Sequence, residues 1–126
     1  MIDNKSYIFN IRDILFGVCD NLGGILCFDS VPKRTMLQAV EKIPDNDLDS
    51  HYNSAPTIRE LINLVDVYQY GGYIILPPRG DARIVIDSLY IPDYADQGTV
   101  IRFQEIADEY HVISKNNMKF WYFRWK

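Results

Sequence analysis

The densest chemistry in the sequence lies between Met118 and Lys126, which reads Met-Lys-Phe-Trp-Tyr-Phe-Arg-Trp-Lys. Rings interleaved with cations suit two kinds of recognition. Flat rings stack on unpaired bases while Lys and Arg hold phosphates. Tyr, Trp and Arg also anchor protein partners, because each joins a large contact area to a polar tip. In an extended segment successive side chains face opposite ways. One face then carries Lys119, Trp121, Phe123 and Trp125, and the other carries Phe120, Tyr122, Arg124 and Lys126. The tryptophan face has more apolar area and is expected inside. This makes Phe120, Tyr122, Arg124 and Lys126 the expected binding residues, with Tyr52 and Tyr94 as further anchors. Tyr68 and Tyr70 belong to the same set of tyrosines expected at the surface.

Other constellations are more easily explained without catalysis. Asp45-Asn46-Asp47-Leu48-Asp49 alternates carboxylates as a calcium loop does. However, Ser50 stands where the loop needs glycine, and Pro56 where it needs glutamate. A solvated acidic loop is the expected form. Asp49-Ser50-His51 followed by Pro56-Thr57-Ile58-Arg59-Glu60-Leu61 resembles the JAB/MPN metalloprotease pattern. In that pattern a glutamate precedes Gly-Gly, then come His-Ser-His and Pro-Ser-x-x-Asp-Leu. His51 and Pro56-Thr57 fit. Asn21 replaces the glutamate, Asp49 the first histidine and Glu60 the aspartate, so the departures fall on the chemistry. The resemblance spans residues 4–76 and implies a cryptic or degenerate metal-dependent hydrolase around Asp49, His51 and Glu60.

Asp29-Ser30-Val31-Pro32-Lys33-Arg34 puts two cations at a helix start, but without a Gly-rich phosphate loop it reads as capping. Arg79-Gly80-Asp81 spells an integrin tripeptide and reads as a turn that uses glycine's freedom. Cys19 and Cys27 fit neither a metal knuckle nor a disulfide framework and are expected as buried free thiols in a reducing compartment. His51 and His111 are the only histidines. No catalytic residue, metal site or cofactor is expected.

Composition bounds the rest. The chain has 126 residues, 48% hydrophobic and 24% charged, which suits one globular domain over 1–126. The net charge is −4, without the basic footprint of a duplex-DNA binder. Residues 115–126 hold four of the 13 cations and none of the 17 acids, so a basic tail joins an acidic body. No apolar run nears the ~18 residues of a membrane span, and Met1 to Lys5 lacks a signal-peptide pattern. The expected location is cytoplasmic, with no membrane partner.

The elements that must position these residues follow from periodicity. Ile8, Ile11, Leu15, Val18 and Leu22 mark a helix, with Asp3 or Asn4 as its cap and Gly23-Gly24 as its stop. Ile25 to Phe28 is a strand, and a helix follows Pro32 and ends at Pro44. Thr57-x-x-Glu60 is a capping box, and the spacing predicts a helix from there through Val65 and Tyr68 to Gly71-Gly72. Tyr73–Leu76 and Arg83–Ile91 form a hairpin. Thr99 caps a helix through Ala107 and Tyr110, which leaves His111 at its end. Asn116-Asn117 then turns into a strand from Met118 to Trp125.

The pattern predicts an α+β fold: a small, mainly antiparallel sheet of about four strands with helices packed mostly on one face. The functional expectation is a small acidic binding module of inhibitor, adaptor or immunity type, acting by surface contact on a protein partner. The alternatives are the hydrolase above and single-stranded nucleic-acid binding through the aromatic-basic strand.

Overall fold

A computed structural model describes residues 5–16, 24–51, 55–64 and 66–126. Along the chain these form α1 (Tyr7–Phe16), β1 (Ile25–Pro32), α2 (Lys33–Val40), α3 (Asp45–Leu48), α4 (Ile58–Ile62), β2 (Gln69–Ile75), β3 (Arg83–Pro92), α5 (Gln97–Ile106), β4 (Glu109–Lys115) and β5 (Met118–Arg124). The proposed caps at Asp3 and Asn4, the stop at Gly23, and Cys19 lie outside the described residues. No helix among the described residues is long and apolar enough to cross a membrane.

The strands make one antiparallel sheet in the order β1-β2-β3-β5-β4. There are five strands rather than about four. The additional one is β4, where the spacing predicts a helix end at Tyr110 and His111. Helix α5 stops at Ile106, and Glu109-Tyr110-His111-Val112-Ile113-Ser114-Lys115 pairs with β5 instead. The two-residue turn Asn116-Asn117 fixes this pairing. Both asparagines take positive φ, 53° and 63°, the conformation a tight hairpin requires and one asparagine tolerates. The cap of α5 is Asp96, whose carboxylate accepts from the Thr99 amide at 3.1 Å, rather than Thr99 itself.

The helices pack on one face, as the pattern predicts. Ile8 and Ile11 of α1, Met36 and Ala39 of α2, Leu61 of α4 and Phe103 of α5 share one core with Ile74, Ile84, Leu89, Phe123 and Trp125 of the sheet. Alternation along the strands supplies the sheet's half of this core.

Two stretches differ from expectation. The acidic loop after Pro44 contains the short helix α3. Helix α4, capped by Thr57 Oγ1 accepting from the Glu60 amide at 3.1 Å, ends at Ile62 instead of reaching Tyr68. Gly71 and Gly72 then lie inside β2 rather than at a helix end. There the register slips, so that Gly71 faces Ser88 while Gly72 faces Ile86, leaving Asp87 as an extra residue on β3. A Cβ at Gly72 would fall on the Val85 carbonyl oxygen, so this bulge needs glycine.

Candidate functional site

The sheet face opposite the helices is the surface where the singled-out residues meet. Cross-strand register assigns side chains to it. Tyr90 stands beside Tyr122, which stands beside His111, and their neighbours Leu89, Phe123 and Tyr110 point to the helix side. The buried residues Val85, Tyr90 and Phe120 belong to this face and lie outside the main core.

The face is concave. Lys115 sits on edge strand β4, yet its Nζ donates to Ser30 Oγ of β1, at the other edge, and to Gln69 Oε1 of β2 at 2.8 Å. In a flat sheet, four strand spacings would place β4 and β1 about 19 Å apart, beyond the reach of a lysine side chain. The β4–β5 hairpin must therefore curl over the face. The same ammonium lies 4.5 Å from the centre of the Tyr90 ring, a cation–π contact. The Tyr90 hydroxyl donates to Asp29 Oδ1 at 2.9 Å. Burial first, then this bond, pushes the Tyr90 hydroxyl up to about 12.

Beside this network lies an open cleft of about 350 Å³. Asp29, Asp87, Ser88, Tyr73, Tyr122 and Arg124 line it, with the backbone of Gly72 and Cys27, a free thiol that is exposed here and not buried as expected. At Gly71 the missing side chain lets Ser88 and Asp29 close over the backbone. A Cβ at Gly71 would collide with Ser88 Oγ and stand 3.3 Å from Asp29 Oδ1. Burial raises the Asp87 carboxyl above the usual aspartate range, and the Arg124 charge draws it part of the way back. Arg124 forms no ion pair within 4 Å among the described residues. Its guanidinium lies within electrostatic reach of both Asp87 and Glu109.

The six expected binding residues separate. Tyr122 is half-buried, its ring 5.8 Å from His111 and 5.0 Å from Tyr90, and Arg124 is exposed beside it. Phe120 is only 1% exposed and stacks on Tyr68 at 4.7 Å, so it is a packing residue and not a surface anchor. Lys126 is exposed but bound at the sheet's end, its Nζ 2.5 Å from Glu109 Oε1 and its amide donating to Asp108 Oδ2. Tyr94 is 76% exposed in the turn after β3. Tyr52 lies outside the described residues. Tyr70 is fully buried, with its hydroxyl donating to the Leu61 carbonyl at 3.3 Å, so it is a core residue. On the tryptophan face Phe123 and Trp125 are buried as expected, while Trp121 is only half-buried and Lys119 is exposed.

The residues of the hydrolase alternative stay apart. Asp49 accepts from Arg59 Nε at 2.7 Å, Glu60 pairs with Arg102 at 3.5 Å, and His51 Nδ1 donates to the Ala55 carbonyl at 3.2 Å. Asp45 also pairs with Arg59, and Asp47 with Lys5. Among the described residues no three His, Cys, Asp or Glu side chains gather as a metal site. Arg79 and Asp81 of the tripeptide pair with each other at 2.9 Å, and Gly80 between them takes no positive φ, so the turn does not use glycine's conformational freedom.

The sequence alone does not single out Asp29, Asp87, Tyr90 and Lys115 as site residues. One signal was present: Asp87-Ser88 interrupts the otherwise apolar run of β3. The chain matches no protein-family model, no curated protein and no solved structure at a significant level.

Proposed function

We propose that this protein is a binding module that recognises a protein partner through the concave face of its sheet. One observation supports this reading most: the helices pack on the other face, while this one leaves Tyr122, His111 and Arg124 accessible around a cleft. Tyr and Arg at the rim of a concavity are the residue types that carry most interface energy. The hydrogen bonds beneath them hold the surface in shape before a partner arrives, which lowers the entropy cost of binding. A nucleic-acid strand fits this face less well, since Asp29, Asp87 and Glu109 would repel phosphates where Arg124 and Lys115 attract them.

The test is affinity capture from the native cell with the wild-type chain and with Tyr122→Ala. The expected outcome is a partner retained by the wild type and lost, or weakened at least about tenfold, by the variant. Equal retention by both would remove Tyr122 and its face from the interface.

A further inference from the structure

We propose that the cleft beside Tyr122 seats an arginine or lysine side chain of the partner, and that Arg124 competes for the same place. This deepens the reading of the concave face as a recognition surface and rests on it. The cleft brings together two carboxylates, Asp29 and Asp87, a hydroxyl at Ser88 and the rings of Tyr73 and Tyr122. Carboxylate and hydroxyl oxygens accept from an ammonium or guanidinium, and the Tyr73 and Tyr122 rings, against which Arg83 and His111 already lie, wall the cleft beside its stem. The missing side chain at 71 lets Ser88 Oγ and Asp29 Oδ1 close in over bare backbone, so that both oxygens sit at the cleft.

The neighbouring network shows that this face holds a cation in this way. Lys115 lies over the Tyr90 ring with Ser30 and Gln69 oxygens as acceptors. The cleft next to it offers the same kinds of group but has negative charge in excess. Among the residues that line it, Asp29 and Asp87 stand against Arg124, which makes no ion pair with either, while nearby Lys115 is engaged by Ser30 and Gln69. Asp87 has already lost solvation to the fold, so a partner's cation restores an interaction that water no longer supplies. Arg124, on a flexible stem at the rim, is the internal competitor. An anionic group is disfavoured by the two carboxylates.

The test titrates the 15N-labelled protein with N-acetyl-arginine amide, with N-acetyl-lysine amide and with the neutral N-acetyl-glutamine amide. The two cations should shift the amide resonances of Gly72 and Ser88, and the glutamine compound should not. Asp87→Asn should weaken binding roughly tenfold, the scale of one charge-assisted hydrogen bond. Arg124→Ala should tighten it by about threefold and reduce neither cation's selectivity, as removal of a nearby like charge requires. Asp29→Asn provides a second variant if the spectrum of Asp87→Asn loses its dispersion. Equal shifts with the neutral compound, unchanged binding in both aspartate variants, or no shift with either cation would overturn the cation site. The two proposals fail separately. A captured partner that is lost with Tyr122→Ala but kept with both aspartate variants leaves the recognition face standing without a cation pocket. Cation binding without any captured partner does the reverse.

Discussion

The hydroxyl of Tyr90 donates to Asp29 Oδ1 at 2.9 Å, joining β3 to β1 across the intervening strand β2. With Lys115 reaching Ser30 and Gln69, it makes the curved face a single hydrogen-bonded unit. Removing that hydroxyl tests the link. Tyr90→Phe should cost about 1 kcal/mol near neutral pH, the usual net worth of such a bond. It should also change the alkaline behaviour. The folded-state value of Tyr90 lies above its ordinary one, so its contribution is complete below about pH 10 and is lost as pH rises through about 12. Urea unfolding at neutral and alkaline pH should show the wild type losing more stability than the variant. Parallel curves would contradict the assignment.

Asp87 makes a prediction at the acid end. Its carboxyl is raised by burial, so the unfolded chain ionises at lower pH than the folded one. Stability from this group is therefore present below the ordinary aspartate value and declines as pH rises through the raised one. Asp87→Asn should be at least as stable as the wild type at neutral pH, with an advantage that fades as the solution is acidified. A variant clearly less stable at neutral pH would mean that Arg124 and Ser88 outweigh desolvation.

The two tryptophans of the β5 segment should behave differently. Trp125 is 1% exposed, meets Phe103 edge-on at 5.6 Å and donates from Nε1 to the Ile106 carbonyl. Trp125→Ala should cost roughly 3–5 kcal/mol, as emptying an aromatic site in a core does. Trp121 is half-buried, packed against Tyr110 and Phe123, and Trp121→Ala should cost about 1–2 kcal/mol. Denaturant midpoints ranked the other way would invert the assignment of these side chains.

The β3 bulge should tolerate no side chain at Gly72, which faces it from β2. Gly72→Ala places a methyl group against the Val85 carbonyl and should destabilise by more than about 2 kcal/mol. Gly80 has open space around it, so Gly80→Ala should stay within about 0.5 kcal/mol of the wild type. Thermal unfolding of the pair separates a backbone requirement from a general effect of replacing glycine.

Local signals decided much of this protein. The Thr57 cap on the Glu60 amide, the paired asparagines at 116 and 117 and the strand from Met118 to Arg124 each rest on signals within a few residues, and each formed, although burial along that strand does not follow strict alternation. They fixed the α+β class and the helices on one face, and they placed Tyr122 and Arg124 together at an accessible surface. Strand β4 carried a local signal as well, in Val112-Ile113. The helical spacing of Phe103, Ala107 and Tyr110 competed with it, and only pairing with β5 settled the outcome.

What tertiary structure alone decided is which distant residues share a surface. Phe120 and Tyr122 have the same parity and similar chemistry, but Tyr68, fifty-two positions earlier, covers the first and leaves the second open. Asp29, Gly71, Asp87 and Lys115 come from four different strands or their bulges, and nothing in their local sequence points to one another. They converge because antiparallel register, the break in register between Phe28 and Val31 of β1, the bulge at Asp87 of β3 and the curl of the β4–β5 hairpin fold one sheet face into a cup. Such closure depends on long-range backbone pairing, to which side-chain periodicity within a single strand is blind.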